Sequence, residues 1–123
     1  AVIVGEESCV GERGMRNLTD DTGETVAEMM EAITERYFAI DCALFTPNPD
    51  RLTHIREMAG AYKADGVIHY GLQFCQPYIM ESMPVEKALK ESGVPTLRLE
   101  TDYSMEDAGQ LKTRVEAFVE QLK

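Results

Sequence analysis

Three short apolar runs, each followed by residues at helical spacing, constrain this chain most. Ala1-Val2-Ile3-Val4-Gly5, Gly66-Val67-Ile68-His69-Tyr70 and the stretch from Val94 to Leu99 are apolar and rich in β-branched residues. Such runs suit strands covered on both faces. Val26, Met29, Met30, Ile33 and Tyr37 recur at helical spacing, and Asp21 with Glu24 resembles a capping box. They predict a first helix over roughly 22–37. Pro47-Asn48-Pro49-Asp50 predicts a turn and the start of a second helix, whose apolar stripe is Leu52, Ile55, Met58 and Tyr62. A third helix runs from near Pro77 towards Glu91, with Val85 and Leu89 on one face and Gly93 as its stop. Pro84 predicts a kink in it or the start of a second part. Ser104, three residues before Asp107, predicts the cap of a last helix striped by Ala108, Leu111, Val115, Phe118 and Leu122. Cys42-Ala43-Leu44-Phe45 fits a short strand or a buried turn, and Glu6 to Asn17 a loop. Met29, Met30, Met58, Met80 and Met83 read as core filler.

Strands alternating with helices imply an α/β fold: a parallel sheet with helices on both faces, a flavodoxin-like or Rossmann-like three-layer arrangement. No linker divides residues 1–123, so a single α/β domain is expected. The sequence opens inside a strand. The expectation is a truncated unit, the carboxyl-terminal domain of a longer polypeptide, exposing an apolar edge where a preceding strand and helix would pack. A hydrophobic content of 44% can fill one core. The formal charge of −10 argues against nucleic acid and against anionic membrane surfaces. No apolar run reaches the length of a membrane span. Cys9, Cys42 and Cys75 are evenly spaced, but their flanks differ, so they are no repeat. Three scattered cysteines without Cys-x-x-Cys exclude a zinc ribbon and favour a reducing, cytoplasmic setting.

Ligands of parallel sheets gather at the carboxyl ends of strands. Glu6, Glu7 and Cys9 follow the first run, Cys75 follows the second, and Glu100 and Asp102 close the third. Cys75 stands in Gly71-Leu72-Gln73-Phe74-Cys75-Gln76-Pro77-Tyr78, where an apolar strand gives way to a helix start. A thiolate there suits a metal or cluster, and a small buried hydrophobe is the other reading. Gly5, Gly11 and Gly14 have the wrong spacing for a nucleotide loop. A Cys–His nucleophile would pair Cys75 with His54 or His69, but neither is aimed at it by the pattern: His69 reads as a hydrogen-bonded strand residue and His54 as a surface one. Carboxylate pairs of the glycosidase kind are poorly distinguished from abundant surface acids. One domain offers at most three thiolates, whereas a cubane cluster takes four ligands. A cluster here would need ligands from elsewhere in the polypeptide or from another subunit.

Three blocks carry a resemblance to a known family: Val4-Gly5-Glu6-Glu7-Ser8-Cys9-Val10-Gly11-Glu12-Arg13, then Ala64-Asp65-Gly66-Val67-Ile68 leading to Phe74-Cys75, and Leu99-Glu100-Thr101-Asp102-Tyr103-Ser104 leading to Gly109 through Phe118. The chain resembles the carboxyl-terminal domain of 2-hydroxyacyl-CoA dehydratase and benzoyl-CoA reductase subunits, oxygen-sensitive enzymes of anaerobes. The resemblance implies that Cys75 is a ligand to the iron of an iron–sulfur cluster, most simply four-iron–four-sulfur, completed by ligands outside this chain. It gives no such role to Cys9 or Cys42. It also implies a lyase acting by ketyl-radical chemistry on an acyl-CoA, a homologous second subunit or second copy, and an ATP-dependent activator that delivers the electron. Glu100, Asp102 and the start of the last helix would stand behind the cluster. Leu72 through Tyr78 with Glu81 also looks like the double-cubane-cluster reductases, whose substrates are small molecules. A non-catalytic scaffold with no cluster is the alternative from another class.

Overall fold

The computed structural model describes residues 1–9 and 11–123. Val10, inside the predicted loop, lies outside the described residues. The chain falls into two compact units, Glu6–Cys42 and Ala1–Gly5 with Ala43–Lys123.

The described residues of Glu6–Cys42 hold a 3-10 turn, Glu12–Gly14, and helix α1, Val26–Phe38. Helix α1 starts later than Asp21 and Glu24 suggested. Thr25 and Glu28 form the capping box: the Thr25 hydroxyl accepts the Glu28 N–H at 3.3 Å, and Glu28 Oε2 accepts the Thr25 and Glu24 N–H groups at 2.9 Å each. This pair satisfies the helix's orphan donors reciprocally, while Asp20 turns locally onto the Thr22 N–H. Polar contacts tie the unit together. Arg36 donates to the carbonyls of Asn17 (2.8 Å) and Gly14 (2.9 Å), Asn17 donates to the Ala39 carbonyl (3.0 Å), and Arg16 pairs with Asp41. No residue of α1 is buried. Val26, Met29, Met30, Ile33 and Tyr37 form the expected stripe, but it faces solvent, so Met29 and Met30 are not core filler. Met80 and Met83, in the other unit, are exposed as well.

In the larger unit, Ala1–Gly5 is not a strand. A strand exists through its ladder, and this segment pairs with neither strand of the sheet; Val2 and Ile3 are exposed. The stretch from Ala43 is a turn with Ala43 buried. Helix α2, Pro49–Ala61, opens with the Asn48 side chain accepting the Arg51 N–H and with proline in its first turn, where no N–H is missed. Strand β1, Val67–Leu72, leads to helix α3, Gln76–Glu91, and then to strand β2, Thr96–Thr101. Pro84 lies inside α3, which remains one helix; Met80, whose carbonyl would have accepted the missing bond, is on the exposed side. Gly93 ends α3 with φ +75°, a conformation that favours glycine.

β1 and β2 pair in parallel, from Val67 opposite Thr96 to Leu72 opposite Thr101. Helix α4, Ala108–Gln121, starts at Asp107 without a side-chain cap. Ser104 is not that cap: its N–H donates to Asp102 Oδ1 at 2.7 Å in a turn after β2. One sheet face carries His69 and Arg98 against α3, where Arg98 Nη1 lies 3.4 Å from Ser82 Oγ. The other carries Leu99 towards α4, whose Phe118 is buried and whose Arg114 donates to the Arg98 carbonyl. Helices thus cover both faces, as an α/β fold requires. The core is Ile55 and Ala59 of α2 against Val85 and Leu89 of α3, with Leu52, Ala64, Val67 and Val94 around them. Ile68 and Tyr70 of β1 are left 41% and 50% exposed.

Candidate functional site

Cys75 sits where β1 hands over to α3, as the residue that caps the helix start. Four backbone bonds fix this corner. The Gln73 N–H donates to the Thr101 carbonyl (2.7 Å), which joins it to the end of β2. The Cys75 N–H donates to Leu72 (3.1 Å), Gln76 to Phe74 (2.9 Å), and Ile79 to the Cys75 carbonyl (3.0 Å). Phe74 takes φ +68° to make the turn, a strained choice for a bulky residue. The Cys75 side chain is exposed and makes no capping bond, and the first turn of α3 has no acidic residue. It is therefore not a buried hydrophobe. The positive end of the α3 dipole favours an anionic group beside it.

Behind this corner lies a buried polar network that the periodicity did not disclose. Arg51 of α2 is 1% exposed and Glu81 of α3 is 2% exposed. Arg51 Nη1 meets Glu81 Oε2 at 3.0 Å, and the Thr46 hydroxyl donates to Glu81 Oε1 at 2.7 Å. The Arg51 guanidinium also lies 5.0 Å from the centre of the Tyr78 ring, in the first turn of α3. His69 of β1 stacks on the same ring, with centroids 4.7 Å apart. His69 is thus buried and aromatic-stacked, and its partner is Tyr78 rather than the sulfur of Cys75. The available signal was an Arg in the first turn of one helix and a Glu one turn into another, each four residues before a core position, Ile55 and Val85.

The other predicted residues take different places. Glu100 stands within β2, opposite Gly71, and is exposed. Asp102 follows the strand, and its bonds from Ser104 hold its carboxyl below the ordinary aspartate range. The turn of Asp102 adjoins the Cys75 corner through the Gln73–Thr101 bond. Cys9 belongs to the smaller unit, where buried Arg13 pairs with Glu7 and reaches the Cys9 sulfur at 3.6 Å. Cys42 is half-buried in the same unit. The described residues contain no group of three or more metal-ligating side chains. An open groove of about 570 Å³ runs along α1, lined by Asp20, Glu24, Glu28, Glu31 and Glu35; its charge is unfavourable to phosphate. No described helix is long and apolar enough to cross a membrane.

Residues 1–122 match the family model described as 2-hydroxyglutaryl-CoA dehydratase, D-component. The chain belongs to this family. Over 121 residues it is 36% identical to YjiM of Escherichia coli (strain K12), provisionally named a dehydratase subunit, covering 98% of this chain and 30% of that protein. It is 32% identical over 121 residues to the (R)-phenyllactyl-CoA dehydratase beta subunit of Clostridium sporogenes, covering 98% and 31%. It is 27% identical over 126 residues to the (R)-2-hydroxyglutaryl-CoA dehydratase subunit beta of Acidaminococcus fermentans (strain ATCC 25085), covering 98% and 33%. The chain therefore spans about a third of the length of these relatives. Of the chain's three free cysteines, Cys9 and Cys75 are exposed, and Cys75 presents its sulfur at the carboxyl edge of the sheet, a donor that suits iron.

Proposed function

We propose that this chain is a domain of a 2-hydroxyacyl-CoA dehydratase-type subunit and contributes Cys75 as one ligand of an iron–sulfur cluster. The observation that carries the reading is the accessible Cys75 sulfur at the amino end of α3, on the carboxyl edge of the sheet. The remaining ligands come from outside residues 1–123, since a cubane needs more thiolates than one corner supplies. Cys75 would hold one corner of the cluster, which would supply to an acyl-CoA thioester carbonyl a single electron delivered by the activator and recovered once the β-proton and hydroxyl have left as water. The chain's own part is to hold the ligand. The α3 dipole favours the negative charge of a thiolate-bound cluster, and the bonds at Gln73, Cys75, Gln76 and Ile79 fix the backbone that carries the sulfur. The acidic groove along α1 is unsuited to the phosphates of CoA, so the nucleotide end of the substrate would bind elsewhere in the enzyme. The partners of this reading are a homologous subunit or second copy and an ATP-dependent activator.

The test is iron and acid-labile sulfide in the full-length protein, purified without oxygen with its partner subunit, beside Cys75→Ser. Cluster loss or oxygen lability in the variant is the expected result. Equal iron in both would remove Cys75 from the ligand set. No iron in the wild type after reconstitution would favour a cluster-free scaffold.

A further inference from the structure

Arg51 and Glu81 form an ion pair in the interior, where a charged pair is a poor source of stability. Withdrawing both charges from water costs about what their attraction returns, and apolar residues of like size often serve the fold equally well. Such a pair is better explained by something it holds in place. Glu81 and Tyr78 lie on the first turns of α3, and Arg51 grips both: Glu81 by an ion pair at 3.0 Å, the Tyr78 ring by its guanidinium face at 5.0 Å. A flat cation with a fixed fork is suited to satisfying a carboxylate and an aromatic face together. His69 adds a contact from the sheet, 4.7 Å from the same ring, and Thr46 holds the second carboxylate oxygen of Glu81 at 2.7 Å. Helix α2, strand β1 and the turn before α2 therefore all fasten the one turn of α3 that follows Cys75.

We infer that Arg51 is a positioning residue for Cys75: through Glu81 and Tyr78 it fixes the first turn of α3, and with it the direction from which the sulfur meets a metal. This rests on the reading of Cys75 as a ligand. The backbone supplies the mechanical link. The Cys75 carbonyl accepts the Ile79 N–H at 3.0 Å, so the residue is carried by the same helical turn that Tyr78 anchors. Losing the pair as a whole should loosen that turn before it unfolds the domain, because the apolar core joins Ile55 and Ala59 of α2 to Val85 and Leu89 on later turns of α3.

The experiment uses the full-length protein with its partner subunit. Hydrogen exchange by mass spectrometry is measured on cluster-free protein, and the electron paramagnetic resonance spectrum and midpoint potential on reconstituted protein. The variants are Arg51→Met/Glu81→Met, which removes both charges of the pair together, and Tyr78→Leu. Each is expected to speed exchange across residues 75–80 about tenfold, as for a local opening that loses one anchoring contact, with later amides of α3 and those of β2 unchanged. The cluster signal should shift or broaden in both. Exchange that rises uniformly across the domain would show a merely structural pair and overturn the inference. So would unchanged exchange at residues 75–80 with an unaltered cluster spectrum. Should Cys75→Ser keep the wild-type cluster, the ligand reading itself fails; loss of the cluster in Cys75→Ser with wild-type behaviour of the other variants sinks only the role of Arg51.

Discussion

Substituting Glu81 by Gln tests how the interior of this domain treats charge. The perturbation is nearly isosteric, so volume hardly changes. At 3.0 Å, and with an effective dielectric of about 20, the lost attraction is roughly 5 kcal/mol. Both side chains are almost fully buried, so solvent screening removes little of it. A guanidinium does not give up its proton at ordinary pH; Arg51 would keep its charge and lose the carboxylate at Nη1. A loss of about 3–5 kcal/mol follows. Arg51→Met should cost a similar amount by stranding the carboxylate, which retains only the Thr46 hydroxyl among its hydrogen bonds described above. Removing both charges should return protection of the whole domain to near the wild-type level, the lost cation–π contact being felt at the first turn of α3. The coupling energy of the cycle is then at least about 6 kcal/mol. The assay is hydrogen-exchange protection at Leu89 and Leu99, buried residues that report opening of the whole domain. A Glu81→Gln cost below about 1 kcal/mol, or a double variant that costs the sum of its singles, would refute the reasoning.

Other expectations follow from single contacts. Leu89→Ala should cost about 3 kcal/mol in the same assay, because Leu89 is fully buried between α2 and α3. Gly66→Ala should cost about 1–3 kcal/mol: a β-carbon there meets Leu122 and Phe118 side-chain atoms at 2.9 Å, and a second substitution, Leu122→Ala, should recover part of the loss. The Glu28 carboxyl is held below the ordinary glutamate range by the Thr25 and Glu24 N–H groups. A depressed folded value means the contribution is full above the ordinary range and is lost as pH falls through the lower one. Exchange at the start of α1 should therefore quicken on acidification through that window, and Glu28→Gln should remove the pH dependence without affecting α3.

The readable parts of this fold were those set by local chemistry. Asn48-Pro49 and Gly93 mark helix ends because their side chains, or the lack of one, fit a single backbone geometry. Val85 and Leu89 lie on the buried face that their spacing implies. The parts that misled depended on partners that no spacing contains. Val2-Ile3-Val4 has a strand's composition and no strand beside it. The α1 stripe has a core helix's spacing and no core against it. A chain spanning about a third of its relatives' length leaves such surfaces undecided by its own residues.

The candidate site divides in the same way. Cys75 was legible because strand, turn and helix are local signals, and a sulfur at their junction has a known use. Its support was not, because Arg51 and Glu81 are 30 residues apart, and each alone reads as an ordinary surface charge. Only folding brings a cation from the first turn of α2 to an anion and an aromatic face on α3. The proposed ligand is thus placed by local sequence, while the contact inferred to orient it is long-range and costly to bury. Selection for a precisely aimed ligand would preserve that cost; selection for stability alone would replace the pair with apolar side chains. Arg51→Met/Glu81→Met puts the two explanations in direct opposition: a merely structural pair predicts exchange that rises uniformly or not at all, and an aiming pair a rise confined to the start of α3.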